Sequence, residues 1–143
     1  MNATSISSIS DINEVNHAAR VILNELRPHL SIEALANQIQ RQMTQGYCIA
    51  VLDDGGEPKA VAGFRFGEFL AWGRIMYVDD LVVKETERGK GYGGQLLEWL
   101  KSHARENGCD QFHLDSGTHR LDAHRFYETH GMNISSYHFA MKL

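Results

Sequence analysis

Between Leu81 and Gly94 an apolar, β-branched run turns into a loop with four glycines in six residues, and a helical period starts at Gly91. Tyr92, Leu96, Trp99, Leu100, His103 and Ala104 recur as one helix stripe, which Asn107-Gly108 ends. A short strand from Gln111 to Leu114 follows. Strand, loop, helix and strand make a βαβ unit, and a chain that contains one builds a sheet with helices laid against it.

The rest of the chain must fit around that unit. Ile6 and Ile9 suggest a short first strand in a Ser-rich opening. Asp11 with Glu14 three residues on has the form of a capping box, and Ile12, Val15, Ala19, Ile22 and Leu26 then make one helix face as far as Pro28. Ser31 caps a second helix with Ile32, Leu35, Ile39 and Met43 on its apolar face, closed by Gly46. Tyr47 to Leu52, the turn Asp53-Asp54-Gly55-Gly56, Ala60 to Leu70, a turn at Trp72-Gly73, and Ile75 to Val83 read as an antiparallel meander. A helix from about Leu121 to His130 and a final strand region from about Met132 to Leu143 complete the order β-α-α-β-β-β-α-β-α-β. The expected fold is α/β, a mixed, mostly antiparallel central sheet flanked by helices, in a single domain over residues 1–143.

The glycine loop carries the chemistry. The first N–H groups of a helix lack intrahelical partners and the dipole there favours anions, while glycines let a phosphate approach the backbone. Arg88 and Lys90 add positive charge at the same place, so a pyrophosphate suits it. Taken alone, the pattern is equally a tight turn with solvated cations. A P-loop is excluded because Gly89-Lys90 is followed by Gly91 rather than Ser or Thr. Gly89, Gly91 and Gly94 do keep dinucleotide spacing, but they follow a meander instead of a first strand, and no second mononucleotide half follows.

Set between that strand and helix, Arg88-Gly89-Lys90-Gly91-Tyr92-Gly93 resembles the Q/R-x-x-G-x-G/A signature of the GCN5-related N-acetyltransferase (GNAT) family. Ala123-His124-Arg125-Phe126-Tyr127-Glu128, with Gly131-Met132 beyond, resembles the same family's A-x-x-F/L-Y-x-x-x-G-F segment. With the order of elements, the resemblance covers nearly the whole chain. It implies a GNAT-like acyltransferase fold with acetyl-CoA as cosubstrate. It further implies that backbone groups of Leu81, Val82 and Val83, on a splayed and bulged strand, hold the pantetheine arm and polarise the thioester carbonyl. Arg88, Gly89, Lys90, Gly91, Tyr92, Gly93 and Gly94 would form the pyrophosphate cradle, and Tyr127 would protonate the departing thiolate. At Arg120 the family often carries Asn, and an Arg at this place suits a cofactor phosphate instead of an amide contact.

The resemblance implies acetylation of an amine by direct transfer. An amine with a pKa near ~10 is mostly ammonium at neutral pH, so its proton must be taken. Glu68, Asp79 and Asp80 are the nearest carboxylates, and the family often has an acidic residue just before the position of Leu81, which makes Asp80 the expected base. Asp79 and Asp80 adjoin in a strand, so in regular geometry only one faces the substrate unless a bulge re-aims them. Asp80 could instead serve only as partner to an ammonium or an Arg, and Tyr127 could be a core tyrosine on its helix stripe. Cys48 and Cys109 lie away from the expected centre, which disfavours a ping-pong thiol route. Eight histidines lack metal-site spacing, so no metal is expected.

The acidic-Leu-Val-Val strand and Asp122-Ala123-His124-Arg125-Phe126-Tyr127 are similar to the aminoalkylphosphonate acetyltransferase subgroup. A small primary amine is the expected acceptor. Peptide or protein N-terminal acetylation, and a non-catalytic acyl-CoA-binding sensor domain, are the alternatives, and polyamines or aminoglycosides remain open as acceptors. A formal net charge of -4 argues against a nucleic-acid surface. The polar N-terminus is no signal peptide, no apolar run suits a bilayer, and two unpaired cysteines fit a reducing cytoplasm. A homodimer is a further expectation from the family.

Overall fold

The computed structural model describes residues 4–9 and 11–143. Its elements are β1 (Thr4–Ile9), α1 (His17–Leu26), α2 (Ile32–Met43), β2 (Cys48–Asp54), β3 (Glu57–Phe69), β4 (Gly73–Val83), α3 (Tyr92–Glu106), β5 (Gln111–Leu114) and α4 (Leu121–Thr129). The residues fall into two compact units, one ending at His113 and one running Leu114–Leu143.

The five strands lie in sequence order, β1-β2-β3-β4-β5, and the first four pair antiparallel. Alternation along the strands builds two cores. Ile9, Ile49, Val51, Val61 and Val82 join Ala19, Ile22 and Leu23 of α1 and Leu35 and Ile39 of α2. Residues of the other parity, Ala50, Leu52, Ala60, Ala62 and Phe64, are also buried, as are Leu96, Leu97, Leu100 and Ala104 of α3. Phe64 meets His103 of α3 edge to face at 5.7 Å, and Trp99 stacks on the same imidazole at 4.6 Å, which makes His103 a packing residue.

Several boundaries differ from the sequence reading. The first helix does not run unbroken from Asp11. Asp11 caps a single 3-10 turn at Ile12–Glu14, accepting from Asn13 N–H at 3.0 Å, and Val15 is extended. Asn16 then starts α1 by accepting from Ala19 N–H at 2.9 Å. An Asn side chain two residues into the apolar stripe competes for the backbone and restarts the helix. Ser31 caps α2 as expected, accepting from Ala34 N–H at 3.1 Å. β3 begins at Glu57, earlier than Ala60, because a register shift opposite Leu52 and Asp53 accommodates Pro58.

The final strand expected over Met132 to Leu143 does not form. Residues 132–143 have no regular structure, and Tyr137, Phe139, Met141 and Leu143 are exposed. Their alternation suits a strand, but a strand needs a neighbouring strand to take its backbone groups, and the five-stranded sheet of the described residues does not include this segment.

Candidate active site

The pairing of β3 with β4 decides where the carboxylates go. Gly63 lies opposite Asp80 and Phe64 opposite Val78, so Asp79 is an extra residue on β4 with no partner of its own. A one-residue bulge reverses the facing of everything beyond it. Tyr77, Asp79 and Asp80 therefore all line one cleft of about 430 Å³, whose other walls include Leu23, Arg27, His29 and Leu35. The exception to strand alternation is realised here, and both aspartates face the cleft.

Each carboxylate is held by an arginine. Arg27 donates from Nε (2.9 Å) and Nη2 (2.7 Å) to Asp80 Oδ1, and from Nη2 to the Asp79 carbonyl at 3.3 Å. Arg65 grips Asp79 with Nη2 to Oδ2 at 2.6 Å and Nε at 3.1 Å to both oxygens. Tyr47 donates its hydroxyl to Asp80 Oδ2 at 2.7 Å, and the Arg65 guanidinium lies 5.5 Å from the Tyr47 ring centre. Burial first, then the Asp80 charge, pushes the Tyr47 phenol well above its ordinary value, so it remains a donor. Gly63 makes this contact possible: a Cβ there would fall 1.7 Å from Tyr47 Oη. None of Arg27, Tyr47, Arg65 and Gly63 belongs to a spacing pattern, so sequence reasoning missed them. Glu68, the third carboxylate considered, does not line the cleft.

Beyond Asp80, β4 continues as Leu81, Val82 and Val83, paired on one side with Ala62, Val61 and Ala60. On its other side β5 begins level with the start of β4, where Asp110 N–H donates to the Arg74 carbonyl at 2.7 Å. Four residues of strand span only ~13 Å, so β5 ends short of Leu81. The end of β4 thus emerges from the β4–β5 pair.

A 3-10 turn at Glu85–Glu87 leads from β4 into the glycine loop. Gly89 and Gly91 have φ of +82° and +86°, a region closed to most side chains, and a Cβ at either would meet nothing within 4 Å. Gly91 is the N-cap of α3 and offers no side chain to the first-turn N–H groups, which have no intrahelical partners. The residues present fit a phosphate group. Glu87 accepts from Lys59 at 3.1 Å and Lys90 at 2.5 Å, and these two bonds hold its carboxyl below the usual range. Arg88 is exposed, with Nε 3.4 Å from the Val83 carbonyl. Tyr92 donates to Asp54 Oδ2 at 2.6 Å, which fixes the start of α3 against β2.

In the second unit, Arg120 is the N-cap of α4 and Tyr127 lies half-buried near its end, with Phe126 edge-on at 5.4 Å. Burial raises the Tyr127 phenol above its ordinary value, and Arg120 pulls weakly the other way. Burial likewise raises the Cys48 and Cys109 thiols, leaving little thiolate at either. Among the described residues no three His, Cys, Asp or Glu side chains gather as a metal site.

The family model described as Acetyltransferase (GNAT) family matches residues 12–132, across both units. The chain belongs to the GNAT family. As a GNAT enzyme it is an N-acetyltransferase and uses acetyl-CoA. It is 33% identical over 120 residues to the uncharacterized N-acetyltransferase YhdJ of Bacillus subtilis (strain 168), covering 82% of this chain and 84% of that one. It is 38% identical over 66 residues to the aminoalkylphosphonate N-acetyltransferase of Salmonella typhimurium (strain LT2), 46% of this chain and 43% of that one. In fold, this GNAT chain superposes on the aminoglycoside N-acetyltransferase AAC(6')-Iy in complex with CoA, with a TM-score of 0.85 at 11% identity, over 100% of this chain and 96% of that one.

Proposed function

We propose that this GNAT enzyme acetylates a small primary amine by direct transfer from acetyl-CoA, with the amine in the cleft at Asp79 and Asp80. The observation that carries this reading is the bulge, which turns two adjacent carboxylates into one cleft just before the free end of β4. Asp80 lies three residues, or ~10 Å of strand, from Val83. Leu81, Val82 and Val83 would hold the pantetheine arm by their backbone. Arg88 through Gly94 would take the pyrophosphate on the first N–H groups of α3, and Arg120 would add a phosphate contact. Bound acetyl-CoA supplies an acyl group on a good leaving thiolate.

In this reading Asp80 receives the ammonium proton, and Tyr127 donates its phenolic proton toward the departing sulfur. A phenol raised by burial stays protonated through the neutral range, which is the form that donates. Loss of activity through Tyr127 ionisation should therefore set in only above pH ~10, the ordinary tyrosine value. Tyr127→Phe should lower kcat by about 10- to 100-fold and leave acetyl-CoA affinity within about twofold. Unchanged turnover removes Tyr127 from the acid role.

The proposal is tested by thiol release from acetyl-CoA over a panel of primary amines and N-terminal peptides. Turnover on free amines supports it, turnover confined to peptides replaces the acceptor class, and cofactor binding without turnover on any amine overturns it. The reading includes a cytoplasmic setting, which the free thiols of Cys48 and Cys109 suit, and no helix of the described residues is long and apolar enough to cross a membrane. It assigns no nucleic-acid partner, in keeping with a net charge of -4. It also includes a homodimer, supported by the exposed alternating side chains of the C-terminal segment.

A further inference from the structure

The cleft beside Asp80 is unusual for an amine site because its carboxylates are already neutralised. Arg27 with Asp80 and Arg65 with Asp79 make two ion pairs whose charges sum to zero. A site that gathers polycations concentrates uncompensated negative charge. This one offers separated charges of both signs.

The unused hydrogen-bonding capacity is also divided. A carboxylate has about four lone-pair positions. Asp80 receives two bonds on Oδ1 and one, from Tyr47, on Oδ2, which leaves a position on Oδ2. Arg27 spends Nε and Nη2 on Asp80 and the Asp79 carbonyl, and none of those bonds uses Nη1. Its side chain is 45% exposed, against 13% for Asp80, and Arg27 lines the cleft. His29 lines the same cleft, while Leu23, Leu30, Leu35 and Ile39 give it an apolar wall. A cation acceptor and an anion donor thus sit side by side over a short aliphatic surface.

We infer that the acceptor is a zwitterion, a small primary amine bearing an acidic group a few atoms away. Its ammonium lies against Asp80 Oδ2 and its anion against Arg27 Nη1 and His29. The inference rests on the amine-acetylation reading above and narrows its substrate class. Arg27 then has two tasks: it orients Asp80 and it binds the acceptor. Polyamines and aminoglycosides, which carry several positive charges and no anion, place a cation against Arg27 and are disfavoured.

The test compares 3-aminopropanoate and 2-aminoethylphosphonate with propylamine and 1,3-diaminopropane, in wild type, Arg27→Gln and Arg27→Lys. The acid-bearing amines should show kcat/KM at least about tenfold above propylamine, the size of one well-placed charge-assisted contact. Arg27→Gln should reduce that advantage to about twofold or less, chiefly through KM, and Arg27→Lys should restore part of it. Whichever acid is preferred separates a carboxylate acceptor from a phosphonate one. Preference for the diamine or propylamine overturns the inference while leaving amine acetylation intact, and so does an acid preference that survives Arg27→Gln.

Titration calorimetry on the CoA-saturated protein supplies a readout independent of turnover. Binding of an acid-bearing amine that disappears in Arg27→Gln, without thiol release from any amine, upholds the zwitterion site and overturns catalysis. No binding of either acid-bearing amine to wild type overturns the inference. Equal melting temperatures across the variants show that the changes are local.

Discussion

Asp80→Asn should lower kcat by about 10²- to 10⁴-fold, the range of a positioned general base. The change keeps the shape of the side chain and an acceptor for the Tyr47 hydroxyl, but it removes the charge that Arg27 holds and the site for the ammonium proton. Arg27 is about half open to water and can keep a hydrogen bond to the new amide oxygen, so losing the charge should cost stability about 1–2 kcal/mol. Rate and stability therefore separate. Steady-state kcat with saturating acetyl-CoA, read across pH beside a melting curve, checks this. A kcat within about threefold of wild type would reduce Asp80 to an anchor for Arg27.

Gly91→Val acts at the other end of the site. Its φ of +86° is strained for a side chain, at roughly 1–2 kcal/mol. More important for binding, the open space that a Cβ would enter lies at the start of α3, where a phosphate would approach the backbone. Acetyl-CoA affinity should fall by about 30-fold or more, whereas Gly91→Ala should show similar strain with a smaller loss. Calorimetric affinity for both variants distinguishes occlusion from strain. Normal affinity in Gly91→Val would sink the cradle assignment.

The conformation of the loop was legible because backbone needs are written in glycines. Gly89 and Gly91 stand in the sequence as they stand in the fold, at positive φ before the first turn of α3. Amphipathic stripes placed α2 and α3 for the same reason: their spacing reports a face. The acid side of the cleft was only half legible. Asp79 and Asp80 could be named, but their common orientation depends on a bulge opposite Gly63 and Phe64 that only strand pairing determines. Arg27 and Arg65 reach the aspartates across 53 and 14 residues of chain, distances over which no local pattern operates. The C-terminal run misled for the converse reason: Tyr137, Phe139, Met141 and Leu143 carry strand alternation, and alternation specifies a face without supplying a neighbour.

The contact between Tyr47 and Gly63 restricts how this enzyme can change over generations. Any side chain at position 63 must find the space already taken by the Tyr47 hydroxyl, and that hydroxyl is bonded to Asp80. A lineage can replace Gly63 only after Tyr47 has been lost, and losing Tyr47 first strips Asp80 of a donor. The order of mutations is therefore constrained as strongly as their identity. Once position 63 has gained a side chain, reversion at position 47 is blocked, so the step works as a ratchet.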